Sequence, residues 1–346
     1  MFDHPDFDGH EQVVHAHDAA SGLKAVIALH STALGPAFGG CRMWPYASSA
    51  QALTDVLRLS RAMTYKAAIC GLPYGGGKAV ILGDPRKDKT LRLLEAMGRL
   101  VESLAGRFII ADDVGTTLDD LVVMRRQTRH TAAATGAAQA PLAVTAHGVL
   151  HAIEAAARHV LKAGELRGLT VAVQGLGNVG SPLCALLHER GARLIVSDID
   201  RARVDSAVRR FGAQAAAPDT IYDQAADIFA PCALGGILDD ATIGRLKARI
   251  VCGGANNQLA TPGHAAAIAA RGIVYIPDYL AGAGGLIDFH QESIDDSPDA
   301  VLRAVARIGT FTTELLTAAN ASGRTPAEVG AERVCTKLAQ ARRQTT

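Results

Sequence analysis

Residues 170–198 read TVAVQGLGNVGSPLCALLHERGARLIVSD. A short apolar run, Thr170 to Gln174, leads straight into Gly175-Leu176-Gly177-Asn178-Val179-Gly180. A helical run, Pro182 to Arg190, follows, and a second apolar run, Arg193 to Ser197, ends on Asp198, 18 positions beyond Gly180. Glycines at these spacings let the chain turn tightly and bring the start of a helix close to a pyrophosphate. An acid at this distance accepts hydrogen bonds from the adenosine ribose. Strand, glycine loop, helix, strand and acid together predict a dinucleotide-binding unit on a parallel sheet. A carboxylate at 198 repels a 2′-phosphate, which predicts NAD rather than NADP, with Arg201 and Arg203 close behind as an opposing influence.

The pattern continues downstream. Asp227–Ala230, Ile250–Cys252 and Gly272–Ile276 read as further strands, ending in Pro231-Cys232-Ala233, in Gly253-Gly254-Ala255-Asn256-Asn257 and in Pro277-Asp278-Tyr279. In an open parallel sheet the carboxyl ends of the strands face the ligand crevice. Cys232, Ala233, Asn256, Asn257 and residues Gly282 to Leu286 are therefore expected on the nicotinamide side. Thr145–Leu161, 298–318 and 325–341 read as helices, with a frayed tail at 342–346. The small-residue stretch 131–141 reads as a hinge. The fold class expected is α/β with two domains. Residues 1–135 form a substrate, catalytic and oligomerisation domain, and 136–324 a Rossmann-type domain, with a cleft between them; a C-terminal helix (about 325–346) packs back on the first.

In the first domain, residues 11–32 alternate as a hairpin and 34–46 read as a glycine turn whose Gly39 and Gly40 can offer N–H groups to an anion. Ser48 to Gln51 has capping-box spacing and opens a helix that carries Lys66 at or just past its end. Gly71 to Pro85, GLPYGGGKAVILGDP, places three glycines before Lys78 and a strand-like run after it. Without Cβ atoms the glycines can adopt positive φ and approach a ligand closely. Lys78, partly desolvated and near a second cation at Lys66, is expected to lose its proton near neutral pH and act as a base. A surface lysine after a turn is the plainer alternative. Leu91 to Leu104 reads as a helix and Arg107 to Ala111 as a strand ending in Asp112-Asp113, which suit general acid work or a helix N-cap equally.

Composition narrows the alternatives. The 346 residues carry 35 basic and 34 acidic side chains, a net charge of +1 that gives no electrostatic reason to expect nucleic acid or an anionic membrane. No apolar run approaches the roughly 18 residues needed to span a bilayer. The acidic, polar start MFDHPDFDGHEQ is unlike a signal peptide. Six cysteines without a CxxC pair read as buried thiols of a cytoplasmic protein. The histidines His4, His10, His15 and His17 fit no usual ligand spacing, so no metal is expected.

The segments GPAFGGCRMW, MTYKAAICGLPYGGGKAVILGDPRKD, ADDVGTT, VQGLGNVG, FAPCALGG, GGANNQL and GIVYIPDYL resemble the amino-acid dehydrogenases of the glutamate/leucine/phenylalanine/valine superfamily, within it the leucine and phenylalanine members. The resemblance runs over nearly the whole chain. It implies that Lys66 pairs with the substrate carboxylate, helped by Gly39, Gly40 and Asn256. It also implies that Lys78 is the catalytic lysine, that Asp113 holds the amino group and relays protons, and that Thr145 contacts nicotinamide. The family forms oligomers through its first domain, so a homo-oligomer is expected. Gly282 stands where the family usually has Asn, and Asp288 lies between the pocket positions Leu286 and Phe289.

The activity implied is NAD-dependent oxidative deamination of a hydrophobic L-amino acid to its 2-oxo acid and ammonia, and the reverse amination. Phe38, Ala111, Leu286 and Phe289 are expected to shape an apolar side-chain pocket with no basic residue for a glutamate side chain. Ala111 resembles leucine-type enzymes and favours branched-chain substrates. Gly22 to Gly40 and the C-terminal run SGRTPAEVGAERV resemble a phenylalanine-type enzyme, so an aromatic substrate is the alternative. A non-catalytic NAD- and amino-acid-binding regulator and a hydroxy-acid dehydrogenase are the rival classes.

Overall fold

In the computed structural model of the protein, residues 1–132, 143–294 and 297–345 are described. The chain divides into two compact units, Met1–Ala138 with Cys335–Thr346, and Gln139–Val334. The predicted hinge at 131–141 lies almost wholly outside the described residues.

The first unit is a five-stranded sheet. Strands β1 (Gln12–Asp18) and β2 (Leu23–Ser31) form the expected hairpin, antiparallel over seven residue pairs. Strand β3 (Ala37–Trp44) is followed by helix α1 (Ser49–Cys70), β4 (Gly75–Leu82), α2 (Leu91–Glu102), β5 (Phe108–Asp112) and α3 (Leu118–Met124). The strand order is β1-β2-β4-β3-β5, with β3 parallel to both its neighbours. Side chains alternate across the sheet. Ala79 and Ile81 of β4 join Leu93, Met97 and Leu121 in one core, while Val80 joins Val26, Ala52, Val56 and Leu57 in the other, under α1. Helix α1 starts at Ser48, whose side chain accepts from Gln51 N–H at 3.1 Å. Gln51 returns a bond to Ala47 N–H instead of completing a box. The helix runs to Gly71, which caps it in the left-handed conformation at φ 70°. Lys66 is thus inside the last turn and a half rather than at or past the end.

Residues 34–46 are not a glycine turn, because β3 occupies most of them. Gly75, Gly76 and Gly77 do not use the positive φ open to them; they are extended residues of β4. Their missing side chains serve close packing. A Cβ on Gly75 would lie 1.9 Å from Ser31 O, one on Gly76 would lie 2.0 Å from Thr64 N of α1, and one on Gly77 would lie 2.7 Å from the Phe108 ring. An alanine at 76 must push the lysine-bearing helix off the sheet.

The second unit begins with α4 (Val144–Ala156), which ends in a π-turn over Ala157–Leu161. Then come β6 (Thr170–Gln174), α5 (Gly180–Glu189), β7 (Arg193–Ser197), α6 (Arg201–Phe211) and β8 (Gln214–Ala215). The other half contains β9 (Ile228–Pro231), α7 (Asp240–Arg245), β10 (Ile250–Val251), α8 (His264–Ala270) and β11 (Val274–Tyr275). Helices α9 (Asp278–Ala281), α10 (Gly284–Ser293), α11 (Pro298–Ser322) and α12 (Pro326–Thr345) complete the chain. The six strands are all parallel in the order β11-β10-β9-β6-β7-β8, the doubly wound arrangement whose switch point falls between β6 and β9. The tail expected to fray is helical through Thr345, and Lys337 Nζ of α12 donates to Ala68 O at 2.7 Å near the end of α1. Among the described residues no helix is long and apolar enough to cross a membrane.

Candidate active site

Alternation along β4 turns Lys78 to the same side as Val80 and Gly76, the face covered by α1. On β3 the same face carries Phe38, Gly40 and Arg42, and on β5 it carries Ile109 and Ala111, since Phe38 pairs with Ile109 and Gly40 with Ala111. Asp113 follows one step beyond β5. Lys78 is 4% exposed, and its Nζ lies 2.8 Å from Asp113 Oδ2. Arg42 Nε reaches the same oxygen at 2.9 Å, while its Nη1 reaches Asp55 Oδ2 at 2.9 Å; Tyr46 donates to that Asp55 oxygen at 2.7 Å. Gly40 makes room for the pair, because a Cβ there would lie 2.8 Å from Asp113 Cβ and 3.0 Å from Lys78 Nζ. The β3–β4 register is interrupted between Phe38↔Gly76 and Cys41↔Ala79, opposite Gly77 and Lys78.

Asp113 is not a helix cap. Thr117 caps α3, in a capping box with Asp120. Asp113 instead has its own N–H bound to Thr116 Oγ1 at 3.0 Å, and Thr116 in turn donates to Cys41 O at 2.7 Å, which fixes the turn after β5. Asp112 is exposed and, by alternation, faces away. Burial pushes the Asp113 carboxyl up; the charge of Lys78 and then of Arg42 outweighs it and holds the group well below the usual carboxylate range. Arg42 is the residue that sequence reasoning missed. Burial acts against its charge, but Asp113 and then Asp55 more than offset this and raise its pKa. Its signal in the sequence is its place two residues after Gly40, which puts both on one face once β3 is a strand.

Lys66 is buried at 8% on α1, two residues beyond the Thr64 that sits on Gly76. Phe38 is buried with its ring 5.8 Å from that of Tyr74, and Ala111 lies beside Gly40 on the same face. Thr145, Asn256, Leu286 and Phe289 belong to the second unit.

In that unit the predicted cofactor residues lie at the carboxyl ends of β6, β7, β9 and β10, with Thr145 on α4. Gly175 has φ 89°, and a Cβ on it would lie 2.7 Å from Ala233 Cβ, which ties the glycine loop to the segment after β9. A Cβ on Gly254 would lie 2.6 Å from Val179, one on Gly235 2.5 Å from Asn256 O, and one on Gly284 2.8 Å from Thr145 Cα. A Cβ on Gly180 would lie 3.3 Å from Cys232 Cβ and 1.8 Å from Gly175 O. Packing therefore demands glycine at 175 and 180. It does not at 177, where the nearest atom to a Cβ is Arg203 Nη1 at 3.6 Å. That open backbone stands just before α5, which begins at Gly180 with no side-chain cap, leaving N–H groups for an anion. Asp198 is held by Leu176 N–H at 2.6 Å and Asp200 N–H at 2.8 Å. Arg201 is engaged by Asp205 at 3.0 Å and Arg203 by Asp200 at 3.3 Å. These residues fit a pyrophosphate-containing dinucleotide. Among the described residues no cluster of three metal-ligating side chains occurs.

A buried lysine–carboxylate pair beside a glycine strand, and a parallel sheet whose glycine loop fits a pyrophosphate, suit a nucleotide-linked dehydrogenase, and known proteins of this construction exist. The family described as Glu/Leu/Phe/Val dehydrogenase, dimerisation domain, matches residues 10–130. The family described as Glutamate/Leucine/Phenylalanine/Valine dehydrogenase matches residues 136–206 and 198–302. Leucine dehydrogenase of Thermoactinomyces intermedius is 48% identical over 311 residues, 89% of this chain and 85% of that one. Valine dehydrogenase of Streptomyces albus is 45% identical, covering 98% of this chain and 95% of that one. The crystal structure of L-tryptophan dehydrogenase from Nostoc punctiforme superposes with a TM-score of 0.80 at 42% identity, over 97% of each chain. The chain belongs to the Glu/Leu/Phe/Val dehydrogenase family.

Proposed function

We propose that the protein catalyses NAD-dependent oxidative deamination of a branched-chain L-amino acid to its 2-oxo acid and ammonia, and the reverse amination. The observation that carries this reading is the buried Lys78–Asp113 pair, 2.8 Å apart, on the sheet face opened by Gly40. The nicotinamide of NAD, when bound, accepts the hydride from the substrate Cα. The chain's own residues do the rest. Lys66 holds the substrate carboxylate, with backbone N–H groups of Gly39 and Gly40. Asp113 accepts from the amino group; its carboxyl is too acidic to hold a proton at rest, so it orients the amine rather than storing protons. Lys78 takes a proton from the water that adds to the imine and returns one to the departing amine.

The carboxylate beside Lys78 attracts its ammonium, opposite in sense to a second cation at Lys66. Arg42 resolves the conflict. Its guanidinium keeps its charge at any working pH, so Asp113 stays paired when Lys78 gives up a proton. Ala111 and Phe38 offer the substrate side chain an apolar surface, and both guanidinium contacts of Arg42 go to carboxylates, which leaves it poorly placed to select glutamate. The leucine and valine names among the relatives favour an aliphatic substrate over the aromatic one. Self-association through the first unit is part of the reading, supported by the matched family's description and by β1, an edge strand of its sheet.

A panel of L-amino acids with NAD, followed by absorbance of the reduced cofactor, tests the reaction. Leucine, isoleucine and valine are expected to exceed glutamate at least about 100-fold in kcat/KM, the cost of leaving a buried charge unpaired. Faster turnover of phenylalanine or tryptophan would replace the substrate, and no turnover of any amino acid would refute the reaction.

Asp198→Ala should weaken NAD binding about 10- to 100-fold, the range for losing charge-assisted hydrogen bonds, and narrow the gap to NADP. Fluorescence titration with both dinucleotides reads this. An unchanged NAD-to-NADP ratio would remove Asp198 from ribose recognition.

A further inference from the structure

The interface between α1 and the sheet is apolar along Val26, Ala28, Val56, Leu57 and Val80, but turns polar toward Lys66. There Ser60 and Thr64 are wholly buried, and His10 and His30 are 7% and 5% exposed. Burying polar groups is costly unless they are bonded, and here each is. The β2–β4 register runs Leu29↔Gly77 and then slips, so that Ser31 rather than His30 faces Gly76. Alternation after Val26 and Ala28 keeps His30 on the face under α1. There His30 Nδ1 lies 2.8 Å from Thr64 Oγ1, while Nε2 faces Asp8 Oδ2 at 3.5 Å. His10 grips the same stretch of α1. Its Nδ1 accepts from Asp8 N–H at 3.2 Å, so Nε2 carries the proton of the neutral ring and donates to Leu57 O at 3.0 Å, with Ser60 Oγ 3.1 Å away. Burial first of all lowers the His10 pKa to about 4, so the ring is neutral at working pH. The two imidazoles meet edge-on, 4.8 Å between centroids.

We propose that Asp8, His30 and Thr64 form a positioning relay that ties the N-terminal segment to the lysine-bearing helix and sets the reach of Lys66 toward the substrate carboxylate. The juxtaposition that carries it is Thr64, clamped between the His30 imidazole and Gly76, on whose missing Cβ it rests, two residues before Lys66 and across from the strand that holds Lys78. An apolar contact would bury this helix as well but would let it slide. A bonded hydroxyl over a glycine admits one register. None of the three residues touches the reacting atoms, and Lys66 acts through its own ammonium.

This inference rests on the substrate-binding role given to Lys66 above. Thr64→Val removes the hydroxyl and keeps the shape. It is expected to raise KM for the amino acid about 10-fold with kcat within about 3-fold, since small displacements of a binding group act on the step that uses it. Thr64→Ser, which retains the hydroxyl, is expected to behave as the parent. His30→Ala should match Thr64→Val, and the double variant should be no worse than the poorer single, as expected of one coupled unit. Asp8 is half-exposed, so Asp8→Ala folds in any case and should raise KM about 2- to 3-fold. Hydrogen exchange of residues 64–71, faster in Thr64→Val and Asp8→Ala but not in Thr64→Ser, reads the relay without turnover. A parent enzyme inactive on every amino acid would overturn the catalytic reading and leave exchange to decide the relay. Parental KM in Thr64→Val or Asp8→Ala, additive losses in the double variant, or unchanged exchange would overturn the relay.

Discussion

Lys78→Met will bind NAD as the parent does and turn over about 10³-fold more slowly, the usual loss when a positioned acid–base group is removed. Methionine keeps most of the volume, and the Nζ is lost from a place that is 4% exposed and 2.8 Å from a carboxylate. Asp113 keeps its Arg42 contact at 2.9 Å, so the substitution does not strand a buried charge. The defect should therefore be chemical rather than structural. It should appear in kcat and kcat/KM together, because the lysine acts on water and imine and not on the bound amino acid. Single-turnover measurements with NAD locate it further: formation of the reduced cofactor precedes the step that Lys78 serves, so release of ammonia should slow more than the first hydride transfer. Turnover within about 10-fold of the parent would exclude Lys78 as the acid–base group. An equal loss of NAD affinity would show that the substitution disturbs more than the reaction.

The dinucleotide half of this molecule was legible because its signals are local. A strand, three glycines, a helix and an acid lie within 29 residues of one another, and each glycine has a separate physical reason that spacing alone announces. The first unit yields less. Gly39-Gly40 and Gly75–Gly77 look like turns because glycine usually breaks strands. Only in three dimensions does each prove to face a backbone, a ring or an ion pair that no Cβ could tolerate. Arg42 was hidden by the same mistake, since its side of the sheet is undefined until β3 is known to be a strand. Thr64, His30 and Asp8 sit 34 and 22 residues apart in sequence, and no local period brings a helix, a strand and the N-terminal segment together. Helix α3 was missed for a simpler reason. Seven residues give too few turns for a helical period, although Thr117 and Asp120 carry its start signal.

Asp113→Asn makes the complementary experiment, because it alters charge with almost no change of shape. The amide can still meet Lys78 and Arg42 but cannot balance them, so two cations are left facing a neutral group in a largely buried place. Breaking a buried pair in this way costs about 3 kcal/mol or more, partly relieved here because Arg42 retains Asp55. Turnover should fall about 10³-fold, since the substrate amine loses its anionic acceptor and Lys78 the partner that orients it. Stability supplies an independent reading through pH. The Asp113 carboxyl is held below its ordinary value in the folded protein, so its contribution is fully present above the unfolded value of about 3.9 and is lost as pH falls through the folded one. The asparagine variant never has that contribution. Its melting temperature should lie below the parent's by a constant margin from about pH 5 to 8 and converge on it in more acidic solution. Curves that stay parallel down to pH 3 would mean the carboxylate gives the fold no ionic support. Parental turnover in a folded variant would mean that the amine is held elsewhere, and the pairing of Lys78 with Asp113 would then be a structural bond beside the site rather than its centre.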